Sequence, residues 1–397
     1  MPEERRPYLT FAETGALILS LFFVGVSFGG SSPLVSSILE SRGASEYFTS
    51  GVVAMLSLGL ALASPWAGRL VDRIGPRPVN AAGILLQGVG FAGLAVALAT
   101  DERILLGARL WLGIAAALTF VAAEYALLKG TNPSYRGRVM AAYGAGFAAG
   151  FMLGVFVGNR AYVAFGLAGF LALAGLAVLI TPLALWGMRK MTIEPREASE
   201  SARETLPVAR VLLALYGAVV YAVLDVAMIG TYPIEGQRLG LSRVEALDVV
   251  GWMAVGTVAI QPLAGWLADA FGKRRVLLGL AGLGCAASGA AGALSLRFPD
   301  ALPGATAAFV LVGAAVGGIF PVSLALLGER TPPALLSRAN AAFSSVFGYA
   351  SLAGPMLAAL FIDLAESMGL LGWAVPGLAL VTFGAVFPLI AFDGRTA

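Results

Sequence analysis

Three charged residues, Arg109, Glu124 and Asp225, stand inside long apolar runs of this 397-residue chain. A charge at the centre of a hydrocarbon-spanning helix costs roughly 2.5–3.5 kcal/mol on insertion scales, so such residues are kept for binding, gating or proton exchange. Arg109 lies roughly 9 Å from one end of its run at about 1.5 Å per residue, and Asp225 lies at a similar depth in a later run. Opposite charges at one depth suit a mutual pair, or contact with a solute and a proton; a static ion pair and an arginine satisfied by backbone carbonyls are the structural alternatives. Glu124 is nearer the other end of its run, where it suits proton exchange or a gate charge paired with Lys129, Arg136 or Arg138. With no histidine and Cys285 as the only cysteine, the chain lacks an imidazole base, an internal disulfide and the commonest metal ligand. Neither catalysis nor a metal or cofactor is expected, there is no phosphate-binding loop for ATP, and protons must be carried by carboxylates.

Periodicity gives these charges company. Arg109, Gly113, Ala116, Phe120 and Glu124 recur at three- and four-residue spacing, which places them on one helix face, and Tyr221, Asp225, Met228 and Tyr232 form a companion stripe. Small residues in the first stripe leave room for a solute, with Phe120 as an apolar contact. Gly113, Phe120, Tyr221, Tyr232 and Gln261 are therefore expected to line a hollow. Gln261 serves there either as a solute hydrogen-bonder or as partner for carbonyls that Pro262 leaves free.

The elements that must position these residues are membrane spans. Hydrophobic residues make up 58% of the chain and charged residues 12%, against roughly 25% charged in soluble domains. Apolar runs long enough for a hydrocarbon layer of about 30 Å occur at 14–38, 47–70, 78–100, 104–128, 137–160, 164–188, 208–232, 246–269, 276–297, 303–327, 337–361 and 369–391. With the N-terminus cytoplasmic, nineteen of the 26 Lys and Arg residues fall on that side and six on the other, so both termini are expected inside. The only long polar connection, 189–206 with Glu194, Glu197, Glu200 and Glu204, divides an N-terminal six-helix bundle, 1–188, from a C-terminal one, 207–397. The formal charge of +3 is spread beside the apolar runs, which gives no nucleic-acid stripe. Short loops, the lack of an N-glycosylation acceptor and the preference for Arg over Lys suit a cell (inner) membrane of a prokaryote.

The two bundles are related. Gly68, Asp72 and Gly75 return at Gly265, Asp269 and Gly272, 197 residues on, and Pro33, Gly113, Phe120 and Pro133 return at Pro233, Gly313, Phe320 and Pro333, 200 residues on. Arg138 and Gly154 return likewise at Arg338 and Gly354. A duplicated set of spans enclosing a site is the arrangement of carriers that open to one side at a time. At each turn, Gly75 or Gly272 allows the positive φ of a sharp connection, and Asp72 or Asp269 can accept from a neighbouring helix start, with Arg138 and Arg338 as charged neighbours. Such contacts form in one conformation and act as a latch between the halves. Gly146, Gly150, Gly154 and Gly158 put four small residues on one face of the fifth span, with a helix of the other half as the expected neighbour.

The tract Gly68-x-x-x-Asp72-Arg73-x-Gly75-x-Arg77 resembles the signature turn of the major facilitator superfamily, with a reduced copy at Gly265-x-x-x-Asp269-x-x-Gly272. Arg109-x-x-x-Gly113 resembles that family's intramembrane arginine motif. Gly150-x-x-x-Gly154-Val155-x-x-Gly158 is similar to its antiporter motif, with Val155 and Asn159 in place of a proline and the final glycine. The resemblance covers essentially the whole chain. It implies an all-α membrane protein of twelve helices and a cavity lined by spans one, four, seven and ten. The expected activity is secondary active transport of a small organic solute by alternating access, proton-coupled and efflux-permease-like, in a monomer. An uncoupled facilitator of the same fold and, behind it, a membrane receptor are the alternatives.

Overall fold

The computed structural model describes residues 8–191, 206–297 and 300–396. Among them are thirteen α-helices and no strand: α1 (Phe11–Ser41), α2 (Glu46–Ile74), α3 (Pro76–Ala99), α4 (Ile104–Gly130), α5 (Arg136–Phe165), α6 (Ala168–Gly187), α7 (Val208–Arg238), α8 (Arg243–Phe271), α9 (Lys273–Ser295), α10 (Leu302–Arg330), α11 (Leu336–Ser367), α12 (Ala374–Gly384) and α13 (Val386–Thr396). Twelve stretches are long and apolar enough to cross a membrane, the last of them running through α12 into α13, with the helix broken at Ala385. All-helical structure follows from the solvent, since lipid supplies no partner for an open backbone group. The polar connection expected at 189–206 lies outside the described residues from 192 to 205, as do residues 1–7.

Caps and glycines set the helix ends. The Ser45 hydroxyl accepts from the Phe48 amide to open α2, and Ser242 and Glu245 form a reciprocal capping box at the start of α8. Gly75 (φ 93°) and Gly272 (φ 89°) make the expected sharp turns between α2 and α3 and between α8 and α9. A side chain there would meet the steric penalty that glycine avoids.

The chain forms two compact units, Met1–Leu206 with Thr331–Gly348, and Pro207–Arg330 with Tyr349–Ala397. The opening of α11 belongs to the first of these units. In that unit α1 runs along α5, α2 along α4, and α3 along α4 and α6. In the second, α8 runs along α10, α9 along α10 and α12, and α7 along α10. Each unit contains the same close crossing. Gly59 and Gly113 bring α2 onto α4, and a Cβ on either would strike the Leu110 or Leu56 carbonyl; Gly256 and Gly313 do the same for α8 and α10 against Val310 and Met253.

That crossing corrects one expectation, because Gly113 admits the α2 backbone and does not line a hollow. The fifth-span glycines correct another. Gly150, Gly154 and Gly158 face the Phe22, Val26 and Gly30 carbonyls of α1, and Gly25 and Gly29 reciprocate against Phe147 and Phe151 of α5. Gly146 faces Ile18 of the same helix. The neighbour is α1 of the same bundle, because two glycine ridges let the backbones themselves approach, and dispersion at that range replaces the hydrophobic drive that lipid cannot provide.

Candidate functional site

Glu124, the acid of the first unit's stripe, is 3% exposed on α4. The Tyr143 hydroxyl of α5 donates to its Oε1 at 2.9 Å, and Ser344 of α11 lies beside the same carboxylate. Its Oε2 has no hydrogen-bond partner among the described residues. The basic neighbours expected for it have other engagements: Lys129 Nζ donates to Tyr125, Arg136 Nε to the Leu128 carbonyl, and Arg138 lies over the Tyr135 ring. A carboxylate held by hydroxyls is less anchored than one in an ion pair, and a proton can stand in for the missing cation.

The opening of α11 is gripped along α2. The Ser337 hydroxyl donates to Asp72 Oδ1, Arg338 Nε lies 3.6 Å from Asp72 Oδ2, and Ser345 Oγ donates to the Ala61 carbonyl at 3.0 Å. Gly68 makes the approach possible, since a Cβ there would stand 2.8 Å from that of Ala341 and 3.0 Å from the Ser337 carbonyl. The turn's Arg73 and Arg77 side chains are exposed; in the second copy Gly265 is buried and Asp269 half-buried. Ser337 and Ser344 are two turns apart on one helix, so the groups beside Glu124 and Asp72 belong to a single rigid element.

Arg109 is 1% exposed. Its Nη1 donates to Ser32 Oγ at 2.9 Å and its Nη2 to the Ser31 and Ser32 carbonyls at 3.3 and 3.2 Å. Pro33 follows directly inside α1 and lacks the amide that would bond the Gly29 carbonyl; the Ser31 and Ser32 carbonyls can each take the guanidinium as a second donor through a spare lone pair. The Arg109 Nε, also buried, has no hydrogen-bond partner among the described residues. Phe120, half-buried, stands in a ring cluster with Phe28 and Phe147 at 6.3 and 5.3 Å.

In the second unit the α7 stripe packs along α10. Tyr221 meets Phe320 at 4.9 Å between ring centroids and Tyr232 meets Phe309 at 4.5 Å. Asp225 and Tyr221 are partly exposed, whereas Tyr232 is sealed. Gln261 is buried on the α8 face that carries Thr257, whose hydroxyl donates to the Gly313 carbonyl of α10 at 3.0 Å. Tyr232 and Gln261 are both buried, and the Tyr232 hydroxyl and Gln261 Oε1 have no hydrogen-bond partner among the described residues.

Sequence reading missed the Ser31 carbonyl and the hydroxyl partners Ser32, Tyr143 and Ser344, and it missed Glu235. That acid is 0% exposed on α7 and accepts from the Val375 amide at 2.9 Å, capping the start of α12. A carboxylate near the end of an apolar run was the available signal for Glu235; serines in apolar helices carry almost none. No group of three His, Cys, Asp or Glu that could hold a metal occurs among the described residues.

Twelve helices long and apolar enough to cross a membrane, with polar groups buried among them, describe a multi-pass membrane protein with lipid around it. The Major Facilitator Superfamily model matches residues 17–247 and 213–395, and the chain belongs to that family. It is 25% identical over 364 residues to "Uncharacterized MFS-type transporter YfkF" of Bacillus subtilis, covering 89% of this chain and 90% of that protein. Its fold is similar to that of the human organic anion transporter MFSD10, with TM-score 0.77 at 19% identity, covering 97% of this chain and all of that one. It is similar as well to the proton:xylose symporter XylE, with TM-score 0.73 at 16% identity, covering 96% and 95%. Nothing in these likenesses points to catalysis.

Proposed function

We propose that this protein is a secondary active transporter of a small organic solute, working by alternating access in a prokaryotic cell membrane and coupled to protons through Glu124. The observation that carries the reading is the buried Glu124 carboxylate, with Tyr143 on one oxygen and no partner among the described residues on the other. Ser344 beside it shares α11 with Ser337 and Arg338 at Asp72. Loss of charge at Glu124 changes what α11 meets at Ser344, and the Asp72 contact resists or permits movement of that same helix. Proton occupancy and the latch then act on one element, which is what coupling requires. Transport of this kind is efflux-like when the proton moves against the solute.

The test is a reconstituted vesicle with an imposed pH gradient. Solute movement that tracks the gradient in the native protein and ignores it in Glu124→Gln supports the reading. Gradient-driven movement that survives the substitution removes Glu124 from the coupling, and movement indifferent to pH in the native protein leaves a facilitator.

A further inference from the structure

Asp225 stands on α7 one turn after Tyr221 and two turns before Tyr232, both of which meet rings of α10. Aromatic pairs flank it on both sides, Tyr221 with Phe320 and Tyr232 with Phe309. The two pairs differ in access. Tyr232 and Phe309 are closed off, whereas Asp225, Tyr221 and Phe320 all keep part of their surface open. No hydrogen bond or ion pair engages the Asp225 carboxylate among the described residues. Arg109, the basic residue deep in a span, has both Nη atoms occupied by Ser31 and Ser32.

We infer that Asp225, Tyr221 and Phe320 form a binding site for a cationic organic solute with an aromatic or apolar body. An acid in apolar surroundings without a counter-charge is costly, and a bound cation relieves that cost. Tyr221, one turn from the acid, and Phe320, in ring contact with Tyr221, add cation–π attraction and apolar contact from the part of their surface that is open. An anion meets no comparable group, since the Arg109 guanidinium is sealed at 1% exposed with both Nη atoms held and only a buried Nε without a partner. A sugar would need several amides or hydroxyls in reach, and beside Asp225 the seam offers one phenol, Tyr221, with Met228 and Val316, both buried and apolar. The sequence left zwitterion, sugar-like solute and amphiphile open; the difference in engagement between Arg109 and Asp225 selects the cation.

Movement of the bound solute rests on the transport reading, whereas binding itself does not. Three probes of one shape separate the charge types: N-methyl-4-phenylpyridinium, 4-phenylbenzoate and neutral 4-phenylpyridine, titrated into purified full-length protein at neutral pH. The cation is expected to bind saturably and about tenfold or more tighter than the other two. Asp225→Asn is expected to lose at least that factor and Asp225→Glu to recover most of it. Equal or tighter binding of the anion or the neutral probe, no binding of the cation, or undiminished binding to Asp225→Asn each overturns the site. The ranking of probes by the native protein needs no variant, so a misfolded substitution leaves the question decidable. Cation binding without counterflow across vesicles would keep the site and remove the transport reading. Counterflow of the anion or neutral probe without cation binding would do the reverse.

Discussion

Arg109 donates to the Ser32 hydroxyl at 2.9 Å, and at the matching positions 200 residues on Phe309 and Tyr232 stand in ring contact at 4.5 Å. One place in the repeat is thus filled by a charged cradle in one unit and by an aromatic pair in the other. Both secure the same joint, where the first span of a bundle meets its fourth just before Pro33 or Pro233. Ser32→Ala should remove one charge-assisted bond from a buried guanidinium and destabilise by about 1.5–3 kcal/mol. Thermal unfolding of the purified variant checks this, and an unchanged midpoint would show that the carbonyls alone suffice.

Glu124→Gln should leave a folded protein, since the glutamine carbonyl still accepts from Tyr143 and the neutral side chain is cheaper to bury. Solute exchange across vesicles without a gradient should persist while gradient-driven accumulation is lost. Loss of both together would make Glu124 a structural residue.

Asp72→Asn weakens the attachment of α11 to α2 at Ser337 and Arg338. Because the Arg338 and Asp72 side chains are 33% and 17% exposed, the ion pair contributes only about 1 kcal/mol, which is enough to change a near-balanced conformational equilibrium several-fold. Labelling of cysteines introduced at either membrane face, in a Cys285→Ala background, should change in opposite directions on the two faces. Identical labelling of variant and parent would count against a latch.

Gly150→Ala places a methyl group against the Phe22 carbonyl of α1. Backbone cannot yield there as a flexible side chain can, so α1 and α5 must separate, at a cost of about 1–3 kcal/mol. The same substitution at Gly175, where nothing lies within 4 Å, should be nearly neutral. Equal melting temperatures for the two variants would refute the close α1 to α5 packing.

Much of the fold was legible in the chain because hydropathy is local. A span is an apolar stretch of sufficient length, and a turn such as that at Gly75 or Gly272 is marked by a residue that tolerates positive φ. The α4 stripe shows where legibility ended. Spacing correctly groups Arg109, Gly113, Phe120 and Glu124 on a broad face, yet different neighbours approach that face along its length. Arg109 meets α1, Gly113 meets α2, Phe120 meets α1 and α5, and Glu124 meets α5 and the opening of α11. Helices cross at angles, so a shared face does not imply a shared partner.

By itself the amino-acid sequence determined twelve spans and the three charges placed where charge is costly, since each depends on residues close together in the chain, and it determined the duplication, since a repeat is a likeness of residue types at a fixed offset and needs no contact to be read. Only the tertiary structure decided that Arg109 is cradled by serines, that Glu124 is held by a tyrosine, and that the glycines of α5 meet α1. Those choices depend on which backbones come within reach of each other, and contacts between residues up to hundreds of positions apart leave no local mark.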